Sequence, residues 1–563
     1  YVQRDLEDAF GQHLSIESDP LNQFRNIPGI LNHHAQRFAD RHAHPLARDV
    51  AKAGLAQEEF GEYAVAHHAL DVNRDLRSRS TAAQAGEIDS GVTDEQATEI
   101  INNMLKRAAD GEVDLKEVES LRRRLVQMSS ATIRKAKNSG LITVSEFDRL
   151  KETFPNYIPM WNAFDKDVDE ANSEREQFVV PANVLMARTG RTSGSLLGNK
   201  DFFADRIAAV ADQRFRVIRK AAANEALKRL LSLTKEANNS ELFEVFKPGV
   251  KRTLNSSTGE TTVSADNSWK SDPTVFTVMV GGQRVLLQIK DIGLATAIKN
   301  KSVPKGSVHQ AIFMTLTGYT SIFRFLTTQF GNPGFTLVNP VRDVQQATAS
   351  VVGENPSLRT ATEDGSYKKL GMTDRLRIVM RSGLNILVAL PVTFGVGTES
   401  YRKSYAKYRA LGGRQGFFVD QDPERARASL RRAVGEGTIS KFGRTKVAKV
   451  AKSPAWLWGK ANTMFDDGIR FAVWTRLVSE GVHPEKAIEI TRDLTVDFSR
   501  MGTGGPYVNA MYAYANAGVQ GTTKTARLMR SKAGIAVVGG YIMAGILSEM
   551  CGDDDEDRDK NGI

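Results

Sequence analysis

Cysteine is nearly absent from this sequence, whose 563 residues include a single cysteine, Cys551. One thiol cannot build a disulfide framework, and it excludes any zinc site made of cysteine ligands within the chain. The same scarcity is typical of proteins that fold in a reducing cytosol. No signal peptide opens the sequence, and because it starts at Tyr1 and stops in mid-motif, we expect it to be the ordered part of a longer polypeptide.

The sequence also lacks the residue spacings of common active sites. The stretch Gly502-Thr-Gly-Gly has no Lys-Ser/Thr after it and follows a predicted helix, whereas a phosphate-binding loop follows a strand. No GxSxG motif precedes a plausible catalytic triad. The acidic pair Asp466-Asp467 lies on a predicted amphipathic helix, where solvation or pairing with Arg470 is the expected role. We therefore predict that the chain is not an enzyme and needs no cofactor.

Long hydrophobic runs are missing as well. The uncharged run 533–548 would span about 24 Å as a helix, which is short of the ~30 Å hydrocarbon core of a bilayer. Its small residues Ala536, Gly540 and Ala544 form a ridge on which another helix could pack closely. A buried or intersubunit helix is favoured, and conditional membrane insertion is the alternative. A second uncharged run, 382–398, contains Pro391, which is expected to kink or end its helix.

Histidine is concentrated at one end, since seven of the nine histidines precede residue 75. They are His13, His33, His34, His42, His44, His67 and His68. Because they form neither an HExxH nor a Cys/His pattern, we expect surface positions or satisfied core positions. Metal binding and a pH-responsive cluster are the alternatives.

The acidic tail offers a second candidate metal site. Asp557, Asp559 and Asn561, followed by Gly562, match the first six positions of a calcium-binding loop. The bidentate acid that completes such a loop is not in the sequence. A solvated acidic tail is therefore favoured over a calcium site, and we predict no metal.

Helical periodicity covers most of the chain, which is too long for one hydrophobic core. We predict a mainly α, multidomain helical array with one small insertion that contains a β-hairpin. Capping boxes at Thr93 and Thr143 predict helix starts, and Gly281-Gly282 predicts the hairpin turn. The predicted segments are 1–90 (N-terminal helices, with a linker at 74–89), 91–237 (helical hairpins and a long helix), 238–300 (the β insertion) and 301–563 (a C-terminal helical domain with apolar helices and the acidic tail).

Positive charge is concentrated in one segment. The formal net charge is +10, and residues 402–460 hold 15 Lys/Arg against 4 Asp/Glu, a local charge of +11. Such a block can attract nucleic acid, anionic lipid or an acidic protein surface, and a solvated helical face is the equally favoured alternative. The predicted contacts to DNA or another anionic surface are Arg431, Arg432, Lys446 and Lys449.

A glycine-rich break interrupts the most unusual stretch, residues 491–530. A charged helix end is followed by GTGGP, and then by alternating aromatic, small and amide residues that suit close packing against other helices or subunits. We interpret Gly502, Gly504, Gly505 and Pro506 as a hinge. Further breaks at 331–333, Pro391 and 412–413 are predicted hinges as well.

The stretch TRDLTVDFSRMGTGGPYVNAMYAYANAGVQGTTKTARLM resembles the large polyvalent-protein-associated helical region of phage internal virion proteins, which are the DNA-ejection or inner-core proteins of short-tailed phages. Supporting segments occur in the same order along the chain. They are YAVAHHALDVN (63–73), FPNYIPMW (154–161), GNPGFTLVNPVRD (331–343), the 412–413 break and the acidic run 553–562.

The resemblance implies a structural role. It implies packing as a homo-oligomer inside the capsid near the portal, release ahead of the genome, and reassembly into a conduit across the host envelope. The implied partners are other core or ejection proteins, the portal, phage DNA and, transiently, the host membrane. Relatives also occur in long polyvalent proteins whose enzymatic domains lie elsewhere, and no catalytic motif of theirs is found in this sequence.

Overall fold

Helices dominate the computed structural model of this chain. Of the residues that it describes, 75% are helical, so the predicted mainly α class with a small β insertion is confirmed. The described residues are 20–79, 81–84, 88–160, 191–192, 203, 206–237, 242–247, 249–254, 261–265, 269, 272, 274–292, 295, 349–354, 358–361, 367–413, 454–494, 515–530 and 532–551.

The chain divides into two compact units. The described residues of unit 1 lie between Pro20 and Ala295, and those of unit 2 lie between Ala349 and Cys551. The four-segment division derived from the sequence stays a prediction.

Unit 1 begins with a series of helices. They are α1 (Pro20–Phe38), a π-helical segment (Ala39–Ala43), α2 (His44–Lys52), α3 (Gln57–Arg79), α4 (Asp94–Ala109), α5 (Leu115–Asn138), α6 (Val144–Thr153) and α7 (Arg206–Ala237), with a short helical turn at Thr81–Gln84. The predicted linker 74–89 is wrong over its first part, because α3 continues to Arg79. Arg77 holds this helix end in place by donating from Nη2 to Asp94 Oδ2 of α4 at 2.6 Å.

Both predicted capping boxes are confirmed. Thr93 Oγ1 accepts the Gln96 N–H at 3.3 Å, and Gln96 Oε1 accepts the Thr93 N–H at 2.9 Å. In the second box, Thr143 Oγ1 accepts the Glu146 N–H at 3.0 Å, and Glu146 Oε2 accepts the Thr143 N–H at 2.9 Å. Each box satisfies two backbone donors that a helix start leaves unpaired, so local sequence is enough to define where α4 and α6 begin.

The long helix α7 lies at the centre of unit 1. It packs against α1 and α5 on its sides and against the small sheet near its end. Apolar side chains along α7, including Ile207, Val210 and Val217, are buried. Each such side chain contributes about 1.5–3 kcal/mol when it leaves water, so these side chains organise the unit 1 core.

The β insertion contains a three-stranded antiparallel sheet in which residues 283–289 lie between residues 243–246 and residues 275–280. The strands of unit 1 are β1 (Ile88–Asp89), β2 (Arg191–Thr192), β3 (Phe243–Phe246), β4 (Val250–Leu254), β5 (Thr261–Ala265), β6 (Val275–Val280) and β7 (Gln283–Ile289). The hairpin of β6 and β7 turns at Gly281 and Gly282, whose φ angles are +58° and +81°, as predicted. Strand β3 joins this sheet, whereas β5 pairs with β4 in a separate two-stranded ribbon.

Helices anchor this hairpin at two points. The Asn224 side chain of α7 pairs with Met279 of β6 like a neighbouring strand, donating to its carbonyl at 2.9 Å and accepting its N–H at 2.7 Å. The Gly282 N–H donates to the Gly140 carbonyl in the turn between α5 and α6 at 3.0 Å. A lone hairpin is marginal in water, and these contacts explain its stability.

Unit 2 is also mainly helical in its described part. Its elements are a π-helical segment (Ala349–Glu354), β8 (Arg359–Ala361), β9 (Tyr367–Lys369), α8 (Met372–Thr393), α9 (Glu399–Ala410), α10 (Pro454–Ser479), α11 (Pro484–Arg492), α12 (Ala515–Leu528) and α13 (Lys532–Cys551). Helices α8 and α10 pack side by side, with Ile378, Phe471 and Trp474 buried in the core. Helix α8 ends two residues after Pro391, as predicted for a proline in that position.

Candidate functional site

Two of the segments that carry the family resemblance meet in the core of unit 1. The first, 63–73, lies on α3, and the described part of the second is the loop that follows α6. The His68 ring of α3 packs edge-to-face with Phe154 and Tyr157, with centroid separations of 5.9 Å and 5.3 Å. Segments about 85 residues apart in the sequence therefore form one buried site.

Asn156 is the polar centre of this site. Its backbone N–H and its Nδ2 both donate to Asp71 Oδ2 at 3.1 Å. Its Oδ1 accepts a hydrogen bond from Arg122 Nη1 of α5 at 2.7 Å. Burial raises the pKa of Asp71, and the two bonds from Asn156 oppose that rise. Asn156 therefore ties the loop to α3 and to α5.

Glu119 of α5 forms the other half of the network. It accepts hydrogen bonds from the Tyr63 hydroxyl and from Arg122, whose Nη2 lies 2.9 Å from Glu119 Oε2. Burial alone would raise the pKa of Glu119, but hydrogen bonds from Arg122 and Tyr63 hold it below its ordinary value. Burial and then Glu119 raise the pKa of Tyr63. Glu119 is thus an anion at neutral pH, and Tyr63 keeps its proton.

Two histidines of α3, the partly buried His67 and the buried His68, are held neutral. Burial, followed by the charge of Arg122, lowers the pKa of His67 to about 4. Burial alone lowers the pKa of His68 to about 3, and its Nδ1 has no hydrogen-bond partner. The expectation of a satisfied core position is therefore wrong for His68. These pKa values also lie well below the range near 6.5 in which an unperturbed histidine responds to pH.

We call this site the unit 1 polar network; its members are Tyr63, His67, Asp71, Glu119, Arg122 and Asn156. A surface cleft lined by Asp94, Thr98 and Asn102 at the start of α4 includes none of the network residues. In the part of the chain that the structure describes, no group of three or more His, Cys, Asp or Glu side chains could hold a metal ion. The contacts support a structural role for the network.

Unit 2 contains a buried ionic cluster on α10. Arg470 Nε lies 3.2 Å from Asp466 Oδ1, and Asp467 accepts a hydrogen bond from the Tyr405 hydroxyl of α9. Asp466, Asp467 and Arg470 are each at most 6% exposed. Of the two roles expected for the acidic pair, pairing with Arg470 is confirmed for Asp466, and solvation is wrong for both residues, because α8 and α9 cover this face of α10.

Helix α8 presents an apolar face to solvent. Met380, Leu384 and Leu387 are 69%, 71% and 77% exposed, and Val388 is also exposed. Within the described residues, α8 is the helix that is long and apolar enough to cross a membrane by length and composition. One such helix is weak support for a membrane span, because a core helix can satisfy the same criteria. We call this exposed surface the α8 face.

The predicted small-residue ridge lies on α13, which has 20 residues and is longer than the uncharged run. Ala536 and Gly540 are exposed, and a Cβ at Gly540 would meet no atom within 4 Å. The side chain of Ala544 lies outside the described residues. The close approach on this helix occurs at Gly534, whose Cα lies 3.2 Å from the position of a Cβ on Gly353. The described ridge residues are therefore not buried within this chain, so that reading of the helix is wrong for Ala536 and Gly540. Packing of the ridge against another subunit stays a prediction.

The remaining predicted site residues lie outside the described part of the chain. These are the hinge residues Gly502, Gly504, Gly505 and Pro506, the basic contacts Arg431, Arg432, Lys446 and Lys449, and the calcium candidates Asp557, Asp559 and Asn561. The break at 412–413 is described, and it is a packed helix end. The Gly413 N–H donates to the Tyr408 carbonyl at 3.0 Å, and the Tyr408 hydroxyl donates to the Gly413 carbonyl at 2.8 Å. These bonds do not favour a hinge there.

One contact joins the segments on either side of the glycine-rich break, and no pattern in the sequence predicts it. Lys524 Nζ of α12 donates to the carbonyls of Asp493 and Leu494 at 2.7 Å and 2.9 Å. Those carbonyls close the C-terminal end of α11, where a positive charge is favourable. Lys524 therefore joins the two described sides of the predicted hinge. A separation of about 30 residues hides such a contact from local pattern reading.

We compared the chain with protein-family models, with curated proteins and with solved structures, and none of them matched it.

Proposed function

We propose that this chain is a structural internal virion protein that assembles as an oligomer near the portal and helps to form a conduit for phage DNA across the host envelope. Its proposed locations are the capsid interior and, after ejection, the host cell envelope. The proposal rests on the sequence resemblance together with the character of the described surfaces.

The exposure of the α8 face is the structural observation that best supports this proposal. A helix that packs on α10 with one side leaves Met380, Leu384 and Leu387 in water on the other, which is unfavourable for an isolated soluble chain. Covering these side chains in a contact between subunits, or transiently with host membrane, removes that cost.

The mass and symmetry of the assembled particle test this function. Native mass spectrometry of the purified chain, followed by imaging of the particles, should show a closed ring with one defined subunit number. A chain that stays a monomer at all concentrations, with and without detergent, would contradict the conduit.

A DNA-binding module centred on 402–460 is the second candidate. Helix α9, which belongs to this segment, exposes the cationic side chains of Arg402, Lys403 and Lys407. Counterion release predicts that DNA affinity falls steeply with salt and with charge reversal at Arg431, Arg432, Lys446 and Lys449. DNA binding that is absent, or that does not respond to salt, would remove this candidate.

A further inference from the structure

Unit 1 holds a cluster of cationic side chains that is separate from the basic segment 402–460. Its members are Arg37 at the end of α1, Arg41 in the π-helical segment, Lys135 near the end of α5 and Arg214 on α7. We call these four residues the unit 1 cationic cluster. They come from four elements that the fold brings together, and no run of basic residues in the sequence marks them.

Aromatic and hydroxyl contacts position the innermost member, Arg214. Its guanidinium lies 5.5 Å from the centre of the Phe38 ring, and its Nη1 lies 3.5 Å from Thr132 Oγ1 of α5. His42 also contacts the Phe38 ring, with the ring centroids 5.5 Å apart. Arg214 is thus held between α1 and α5 by contacts that leave its charge uncompensated.

Two carboxylates of the surrounding elements are paired with arginines outside the cluster. Asp49 of α2 binds Arg124 at 2.8 Å, and Asp212 of α7 binds Arg216 at 2.9 Å. Asp40 of the π-helical segment lies 3.8 Å from His44. In the described part of the chain, no carboxylate lies within ion-pair distance of a member of the cationic cluster.

The positive potential of the cluster contributes to lowering the pKa values of two histidines. Burial, and then the charges of Lys135, Arg214 and Arg37, lower the pKa of His34 to about 4. Burial and then Arg214, Arg37, Arg41 and Arg124 lower the pKa of His42. The charges that act on both rings are cationic, so the electrostatic potential at this position favours an anion.

We propose that the unit 1 cationic cluster binds the phosphodiester backbone of a nucleic acid. Arginine guanidinium groups match the geometry of phosphate oxygens, and Arg37, Arg41 and Lys135 are exposed and accessible to a ligand. A membrane surface fits less well, because α1, the π-helical segment, α2, α5 and α7 expose no large apolar side chain among their described residues. This inference does not depend on the proposed delivery function.

A charge-removal series on the full chain tests the proposal. Arg37→Gln, Arg41→Gln and Lys135→Gln are combined in one variant, which leaves the half-buried Arg214 in place and so protects the fold. The matched control combines Lys106→Gln, Lys116→Gln and Lys151→Gln, which are exposed lysines of α4, α5 and α6 outside any described ion pair. The probe is a fluorescent DNA duplex, titrated by anisotropy between about 50 and 200 mM salt.

The cluster variant should bind DNA roughly tenfold or more weakly than the control, and its log–log salt slope should be shallower by about 2–3, since each lost phosphate contact accounts for about 0.9. Equal affinities and slopes in cluster variant and control would overturn the proposal. The proposal would also be overturned if the wild-type chain bound polyglutamate or phosphatidylglycerol vesicles more strongly than DNA.

Lysine footprinting localises the contact even if another segment also binds DNA. Acylation of Lys135 should fall several-fold when DNA is added, whereas Lys116, on the same helix, should react equally with and without DNA. Mass spectrometry reads both sites in one sample. Unchanged acylation of Lys135 at saturating DNA would show that the cluster does not contact it.

Discussion

Asn156 donates both its backbone N–H and its side-chain amide to one oxygen of Asp71, each at 3.1 Å. The two residues lie 85 positions apart, and Asp71 is buried on α3. A buried carboxylate needs such donors, because without them its desolvation cost is not offset. The stability of unit 1 should therefore depend on this loop residue.

Asn156→Ala should lower the free energy of unfolding of unit 1 by about 2–4 kcal/mol, because Asp71 and Arg122 each lose a hydrogen bond in a buried setting. Urea unfolding followed by circular dichroism measures the loss. The control is Asn102→Ala on the exposed side of α4, which should change the free energy by about 0.5 kcal/mol or less. Similar losses in the two variants would show that the network is not structural.

The hairpin turn provides a matched pair of glycines. A Cβ at Gly282 would lie 2.3 Å from the Thr143 backbone nitrogen, whereas a Cβ at Gly281 would meet no atom within 4 Å. Gly281→Ala should cost only the strain of its positive φ, about 1–2 kcal/mol. Gly282→Ala should cost about 2–4 kcal/mol, because it also forces the hairpin away from the turn between α5 and α6. Thermal unfolding of both variants decides whether this docking exists.

Acid should destabilise unit 1 through His68. Its pKa is about 3 in the folded state, against an ordinary value of 6.5 for an exposed histidine, so the unfolded state binds the proton first as the pH falls. The stability contribution is complete above pH 6.5 and is lost by up to ~1.4 kcal/mol per pH unit below it. His68→Phe should flatten the stability curve between about pH 6.5 and 4. The same substitution at the exposed His44 serves as control, and equal slopes in the two variants would contradict the prediction.

Removing the Lys524 ammonium should loosen α12. Lys524→Met keeps the aliphatic length but loses both bonds to the end of α11, a loss of about 1.5–3 kcal/mol. Amide hydrogen exchange in 515–528 should accelerate roughly 10- to 100-fold as local opening becomes easier. Lys532→Met, at an exposed lysine, is the control. Unchanged exchange in the Lys524 variant would mean that the contact does not hold the helix.

Polar substitution of the α8 face should weaken self-association without unfolding unit 2. Leu384→Asn combined with Leu387→Asn removes two exposed apolar side chains, so the dissociation constant should rise roughly tenfold or more. Leu105→Asn combined with Val144→Asn, on unit 1 helices, should leave association unchanged. Sedimentation velocity measures both. Equal dissociation constants for these two variants and the wild type would exclude the α8 face from the contact.

Local patterns in the sequence determined where many elements begin and end. The capping boxes at Thr93 and Thr143, the glycines at 281–282 and the proline at 391 each act through neighbours within a few residues, so their effects can be read in order along the chain. The mainly α class follows from the same local periodicity.

Only the tertiary structure decided which distant side chains meet. Asp71 with Asn156, Lys524 with Asp493, and Arg214 with Phe38 are joined by helix packing, which no spacing in the sequence encodes. The same packing buries His68, Asp466 and Asp467 and leaves Leu384 and Leu387 exposed to water. The sequence of an apolar helix does not show which of its sides the neighbouring helices will cover.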